Sequence, residues 1–169
     1  VNLVSASHDL AKRGPTELEK SLVDPKMLSL WQKEPAWDLP GFSDEIDQIY
    51  AQVAQDTRTN FQKLLAAGVP LHLGTDSGVH AVFPGSALHN ELKTVVELGM
   101  APLDALKAVT SASAAFLDPD GNFGSIKAGQ RADLLLVQGD PSIDIAAISH
   151  IEKVFLEGVE INRIPLQDE

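Results

Sequence analysis

Cysteine is absent from the 169 residues. That excludes disulfides, thiol nucleophiles and thiolate metal sites, so any nucleophile or metal ligand must be built from oxygen or imidazole. Basic residues are few, 13 against 24 acidic ones, and the net charge is −11. A surface of that sign repels phosphate backbones and anionic headgroups, which argues against nucleic acid and anionic membrane surfaces as partners. No apolar run approaches the roughly 20 residues that a membrane helix needs. The Gly-x-x-x-x-Gly-Lys phosphate loop and the Gly-x-Ser-x-Gly nucleophile elbow are also missing. The chain starts Val1-Asn2-Leu3-Val4-Ser5, without an initiator Met or a basic-then-apolar leader. That start is expected of a chain cut from a longer one, although processing also removes Met, and it leaves localisation unknown. What is present is an ordinary globular mixture, 44% hydrophobic and 22% charged, so disorder is not the expected main state. The length fits one domain or pieces of two.

Val1 to Val4 reads as a short strand. Pro15, Pro25, Pro35 and Pro40 then punctuate a loop-rich segment, with short helices expected around Glu17 to Leu22 and Pro25 to Gln32. From Ser43, Ile46, Ile49, Val53, Thr57, Phe61, Leu64 and Leu65 recur at helical steps, with Ser43 as cap and Gly68 as a left-handed stop. Val69 to Thr75 follows as a mostly apolar strand, so helix, stop and strand together suggest an α/β unit with a parallel sheet. A helix from about Ala87 should turn Leu88, Leu92, Val95 and Val96 inward and end at Gly99. The next should run from Pro102 to about Phe116, carrying Leu103, Leu106, Val109 and Ala112. Asp118 to Asn122 is a turn cluster. Ala132 to Val137 reads as a buried strand, and Ile151 to Leu156 and Val159 to Ile161 as two more, joined by a two-residue turn at Glu157-Gly158.

Leu73-Gly74-Thr75-Asp76-Ser77 is the most informative stretch. It sets a carboxylate just past the C-terminal end of a strand, the edge where ligands bind in α/β barrels and open sheets. The neighbouring hydroxyls can hold that carboxylate, which can bind a divalent metal or take a proton from water. A loop or capping carboxylate satisfied by backbone amides is the competing reading. The histidines are His8, His72, His80, His89 and His150, and none forms His-x-His or His-Glu-x-x-His. His72 is expected to pack in the core. His80 follows the Asp76 loop and can reach substrate or lie on the surface. His89 and Glu91 start a helix, where capping or support of a site from behind is expected rather than ligation. His8-Asp9 stays open, His150 carries no assigned chemistry, and Asp44-Glu45 reads as solvated.

Several motifs together resemble the C-terminal third of the amidohydrolase superfamily, nearest to its imidazolonepropionase- and prolidase-like metal-dependent hydrolases. They are Gly74-Thr75-Asp76-Ser77, His89-Asn90-Glu91-Leu92, Glu97-Leu98-Gly99-Met100-Ala101-Pro102-Leu103-Asp104-Ala105-Leu106, and Ala108-Val109-Thr110-Ser111-Ala112-Ser113-Ala114-Ala115. Gly124-Ser125-Ile126-Lys127-Ala128-Gly129-Gln130-Arg131-Ala132-Asp133-Leu134-Leu135 is the strongest, and Gly139-Asp140-Pro141 and Val154-Phe155-Leu156-Glu157-Gly158-Val159 also match.

The resemblance implies an α/β fold: the C-terminal portion of a TIM-like (β/α)8 barrel over residues 1–116, with its last two strands, and strands of a small composite β-sandwich over 117–169. It implies that Asp76 binds a divalent metal, most readily zinc, and shuttles protons for the attacking water. The implied reaction is hydrolysis of carbon–nitrogen bonds in a small-molecule amide or dipeptide-like substrate, with His80, His89 and Glu91 as candidates for substrate contact or support. The family's His-x-His, bridging lysine or glutamate and two further histidines come from earlier strands that this chain does not contain. The chain alone is therefore expected to hold an incomplete metal site and to be inactive. Self-association or an N-terminal barrel half should cover its strand edges. A non-catalytic α/β association module is the alternative.

Overall fold

The computed structural model describes residues 14–33, 44–78 and 82–162. Thr16 accepts the N–H of Glu19 on its hydroxyl, and the Glu19 carboxylate accepts the N–H of Thr16 at 2.8 Å. This reciprocal box satisfies first-turn donors and starts α1 (Glu17–Leu22). Asp24 accepts the N–H of Lys26 just before α2 (Pro25–Lys33), whose leading proline has no donor to lose. The two short helices expected in the proline-rich segment are thus both formed.

α3 (Asp44–Ala66) is the long amphipathic helix. It closes with Gly68 at φ 67°, where Gly68 N–H donates to Leu65 and Val69 N–H donates to Leu64. The same stop recurs at Gly99, φ 109°, after α4 (Ser86–Glu97), with Gly99 donating to Val96 and Met100 to Val95. Both are Schellman endings, which need a residue at ease in the left-handed region. On α4, Leu92 and Val95 are buried as expected, but Leu88 is exposed and Ala87 and Glu91 take inward places instead.

The single helix expected from Pro102 to Phe116 is two: α5 (Pro102–Val109) and α6 (Ser111–Leu117). Thr110 breaks it at φ −119°, ψ −99°. Its hydroxyl donates back to the Leu106 carbonyl at 2.6 Å, a bond that competes with the helical pattern. The buried positions are Ala105, Ala108 and Ala114, while Leu103 is exposed.

Residues 69–75 form no ladder among the described residues. A parallel strand exists only through a hydrogen-bonded neighbour, and the described residues place none beside it. Val1 to Val4 and Ser43 lie outside the described residues. The later strands stand as expected in position: β1 (Leu134–Val137), β2 (Ile151–Leu156) and β3 (Val159–Ile161), an antiparallel sheet in the order β1-β2-β3. Leu134 faces Phe155, Val154 faces Ile161, and the register slips between Leu136 and Val137. β1 is not buried: Leu135 is 52% exposed and Leu136 46%. A strand's burial depends on what is laid over it, which an apolar run alone does not encode.

The main core joins Phe61 of α3, Leu73, Leu92 and Val95 of α4, Met100, Ala105 and Ala108 of α5, and Ile145. Ile145 belongs to the 3-10 helix Ile145–Ser149 between β1 and β2, so the β-rich end of the chain is anchored in the helical core. Helices and antiparallel strands thus make a mixed α/β chain. No helix among the described residues is long and apolar enough to cross a membrane.

Candidate functional site

Asp76 follows buried Leu73 by three residues and is itself exposed. Its backbone is left-handed, φ 52°, a conformation that Asp tolerates better than most residues. The neighbouring hydroxyls bond each other rather than the carboxylate. Thr75 Oγ1 and Ser77 Oγ are 2.8 Å apart, and Ser77 N–H donates to Thr75 Oγ1 at 3.3 Å. The expectation that they hold Asp76 is therefore corrected: they stiffen the turn that presents it. Among the described residues no backbone amide donates to the Asp76 carboxylate. Gly78 N–H donates to the Val82 carbonyl at 3.2 Å.

The other sequence candidates are not drawn to Asp76 by any hydrogen bond among the described residues. His80 and His8 lie outside them. His72 is half-buried and stacks on Phe116, with ring centroids 4.7 Å apart. His89 is half-buried, with Nδ1 3.3 Å from Ser149 Oγ on the 3-10 helix, and burial pushes its pKa below the ordinary value. Glu91 is 0% exposed on the inner face of α4. Neither His89 nor Glu91 caps that helix; Gly85, at φ 87°, precedes it without a side-chain cap.

Glu19 was not among the sequence candidates and belongs among the notable residues. It is 1% exposed, and its Oε1 accepts from Asn90 Nδ2 at 3.4 Å across 71 residues. The Thr16-x-x-Glu19 spacing announces the capping box, but the burial and the contact to α4 are long-range.

A cleft of about 180 Å³ lies beneath α6, lined by Ser111, Asp118, Phe123, Lys127 and Gln130 among others, and Asp76 takes no part in it. Among the described residues no three His, Asp or Glu side chains converge in a way that could hold a metal ion. One carboxylate does not complete a catalytic zinc site, which takes about three protein ligands. The described residues by themselves therefore do not fit the metal that the resemblance implies.

Residues 33–161 match the family model of the amidohydrolase family. The imidazolonepropionase of Alkaliphilus metalliredigens is 31% identical over 106 residues, covering 57% of this chain and 24% of that protein. The ochratoxinase of Aspergillus niger is 33% identical over 101 residues, covering 55% of this chain and 20% of that protein. The solved structure of a Xaa-Pro dipeptidase with bound methionine in its active site superposes with a TM-score of 0.63 at 28% identity, covering 82% of this chain and 34% of that one. The chain spans only about a quarter of the length of the curated relatives it matches, 24% and 20% in these two cases.

Proposed function

Because the chain belongs to the amidohydrolase family, we propose that it is the C-terminal part of a metal-dependent hydrolase acting on carbon–nitrogen bonds. In this reading residues 1–116 supply the last two strands and helices of a TIM-like barrel, and 117–169 supply strands of a small β-sandwich. The observation that carries the reading is Asp76: an exposed carboxylate in left-handed backbone, three residues after buried Leu73.

Such a carboxylate accepts a proton from water as the water attacks a carbonyl, then returns it to the departing nitrogen. A bound divalent metal, zinc first, would lower the pKa of that water to about 7. Asp76 would supply one ligand to such a metal, and further ligands would have to come from beyond the described residues. His80, His89 and Glu91 are proposed to contact substrate or support the site; for His89 and Glu91 support is favoured, since one leans on Ser149 and the other is buried. The substrate class is a small amide or dipeptide-like molecule. The names of the relatives support it: an imidazolonepropionase and a Xaa-Pro dipeptidase.

A second reading is favoured by one specific observation. Leu135, Leu156, Val159 and Ile161 stand exposed on neighbouring strands, as they would in a module that works by association. The coding sequence upstream of Val1 separates the two. An in-frame His-x-His on a strand-like stretch is expected for the hydrolase. An in-frame stop immediately before Val1 would favour the association module.

A further inference from the structure

Glu19 pays for its burial with bonds in two directions. A carboxylate taken out of water is costly unless its oxygens are hydrogen-bonded. Oε2 accepts the Thr16 N–H within its own turn at 2.8 Å, while Oε1 accepts from Asn90 Nδ2 on α4 at 3.4 Å. A capping box needs only the first bond. The second joins a helix that precedes Asp76 by more than fifty residues (Glu17–Leu22) to the helix that follows it.

An apolar plug sits beside this bond. Val23 and Leu28 of the α1–α2 segment form a small buried cluster with Val82 and Ala87, and Phe83 packs against it. A Cβ on Gly85 would lie 3.9 Å from Leu22 Cδ1, so α1 also lies close to the entry of α4. Val82 has two roles here. Its side chain enters the plug, and its carbonyl accepts the N–H of Gly78, two residues after Asp76. The path from Asp76 to α4 is therefore gripped twice, by apolar contact at Val82 and Ala87 and by a carboxylate at Asn90.

We infer that α1–α2 is a clamp on Val82 and the first half of α4, and that Glu19 is the positioning residue that locks it. The functional meaning rests on Asp76 carrying the chemistry. The clamp holds the chain that follows Asp76 in place and takes no part in proton transfer. The clamp itself is a statement about local stability, and it is tested without any assay of hydrolysis.

The experiment is amide hydrogen exchange on the full 169-residue chain, comparing the parent with Glu19→Ala, Glu19→Gln, Asn90→Ala and the double alanine variant. Glu19→Ala and Asn90→Ala should each speed exchange at Gly78 and Ala87 by about tenfold, with amides 105–117 unchanged. Glu19→Gln keeps one acceptor oxygen for Asn90 but turns a donor toward the Thr16 N–H, so its exchange should fall between the parent and Glu19→Ala. The double variant should not exceed Glu19→Ala, because that substitution already removes the bond to Asn90 together with the capping bond to Thr16. Unchanged exchange at Gly78 and Ala87 in both single variants would overturn the clamp. So would an equal rise across 105–117, or effects of the two substitutions that simply add. Each of those outcomes leaves the proposed role of Asp76 standing, and absence of hydrolysis would leave the clamp standing.

Discussion

The Asp133 carboxylate accepts the backbone N–H of Glu157 at 2.9 Å, across 24 residues of chain. Glu157 is left-handed, φ 52°, and Gly158 follows at φ 81°, the geometry of a two-residue turn whose twist matches its strands. Gly158 N–H also donates to the Ala132 carbonyl at 2.9 Å, so the β2–β3 turn is tied to the start of β1 twice.

That tie titrates. The Glu157 amide, with Arg131 adding to it, holds the Asp133 carboxyl below its ordinary value of 3.8. A carboxylate with a lowered folded pKa stabilises above its unfolded value, and the contribution is lost as pH falls through the folded one. The turn should therefore lose amide protection as pH drops below 3.8, and Asp133→Asn should flatten that dependence. Exchange at Gly158 and Ile161 across the acid range checks it; an unaltered profile in the variant would refute it.

His89 titrates with the sign of a buried base. Burial lowers its pKa from 6.5, so below that pH the unfolded chain takes up a proton before the folded chain does. Stability should be full above 6.5 and decline as pH falls toward the folded value. Thermal melts at about pH 7.5 and 5.5 should show a larger drop for the parent than for His89→Gln.

Gly124 is held at φ 85°, where an added Cβ would run into the Cβ of Ala114 and lie 3.2 Å from the Thr110 carbonyl oxygen. Gly124→Ala should cost about 2–3 kcal/mol in a denaturant melt, from the left-handed backbone and the overlap together. Adding Ala114→Gly removes the overlap but not the backbone strain, so it should recover only part of the loss.

How much was legible depended on how local each cause is. α1 and α2 were expected between the prolines, and what starts them, Thr16, Glu19 and Pro25, acts within one turn; the turn at Glu157-Gly158 was readable because its cause is equally local. The break at Thr110 was not, because an unbroken apolar period runs through it while its hydroxyl turns back to Leu106. The burial of Glu19 depends on Asn90, 71 residues away. Val69 to Thr75 has strand character in its sequence, but a ladder needs a second strand. At the candidate site, the sequence picked out Asp76 and His89; it did not show that Thr75 and Ser77 bond each other, or that His89 leans on Ser149.

Association is expected of the chain on its own. Leu135, Leu156, Val159 and Ile161 are 52%, 54%, 65% and 41% exposed, a concentration of aliphatic surface that favours pairing. Sedimentation equilibrium at micromolar concentration should give a mass above 18.1 kDa. Val159→Lys should shift it toward the monomer. A cooperative monomer whose mass Val159→Lys leaves unchanged would contradict the idea that this strand face needs a partner.

The most direct test is to produce the chain together with the N-terminal barrel segment of a related amidohydrolase, load the assembly with zinc, and assay N-acyl amino acids and dipeptides. The account predicts hydrolysis by the assembly, none by the 169-residue chain alone, and loss on chelation. It further predicts a fall of about 100-fold or more in Asp76→Asn, the scale of a lost proton acceptor. Turnover by the isolated chain, or an assembly that hydrolyses equally well with Asp76→Asn, would contradict it.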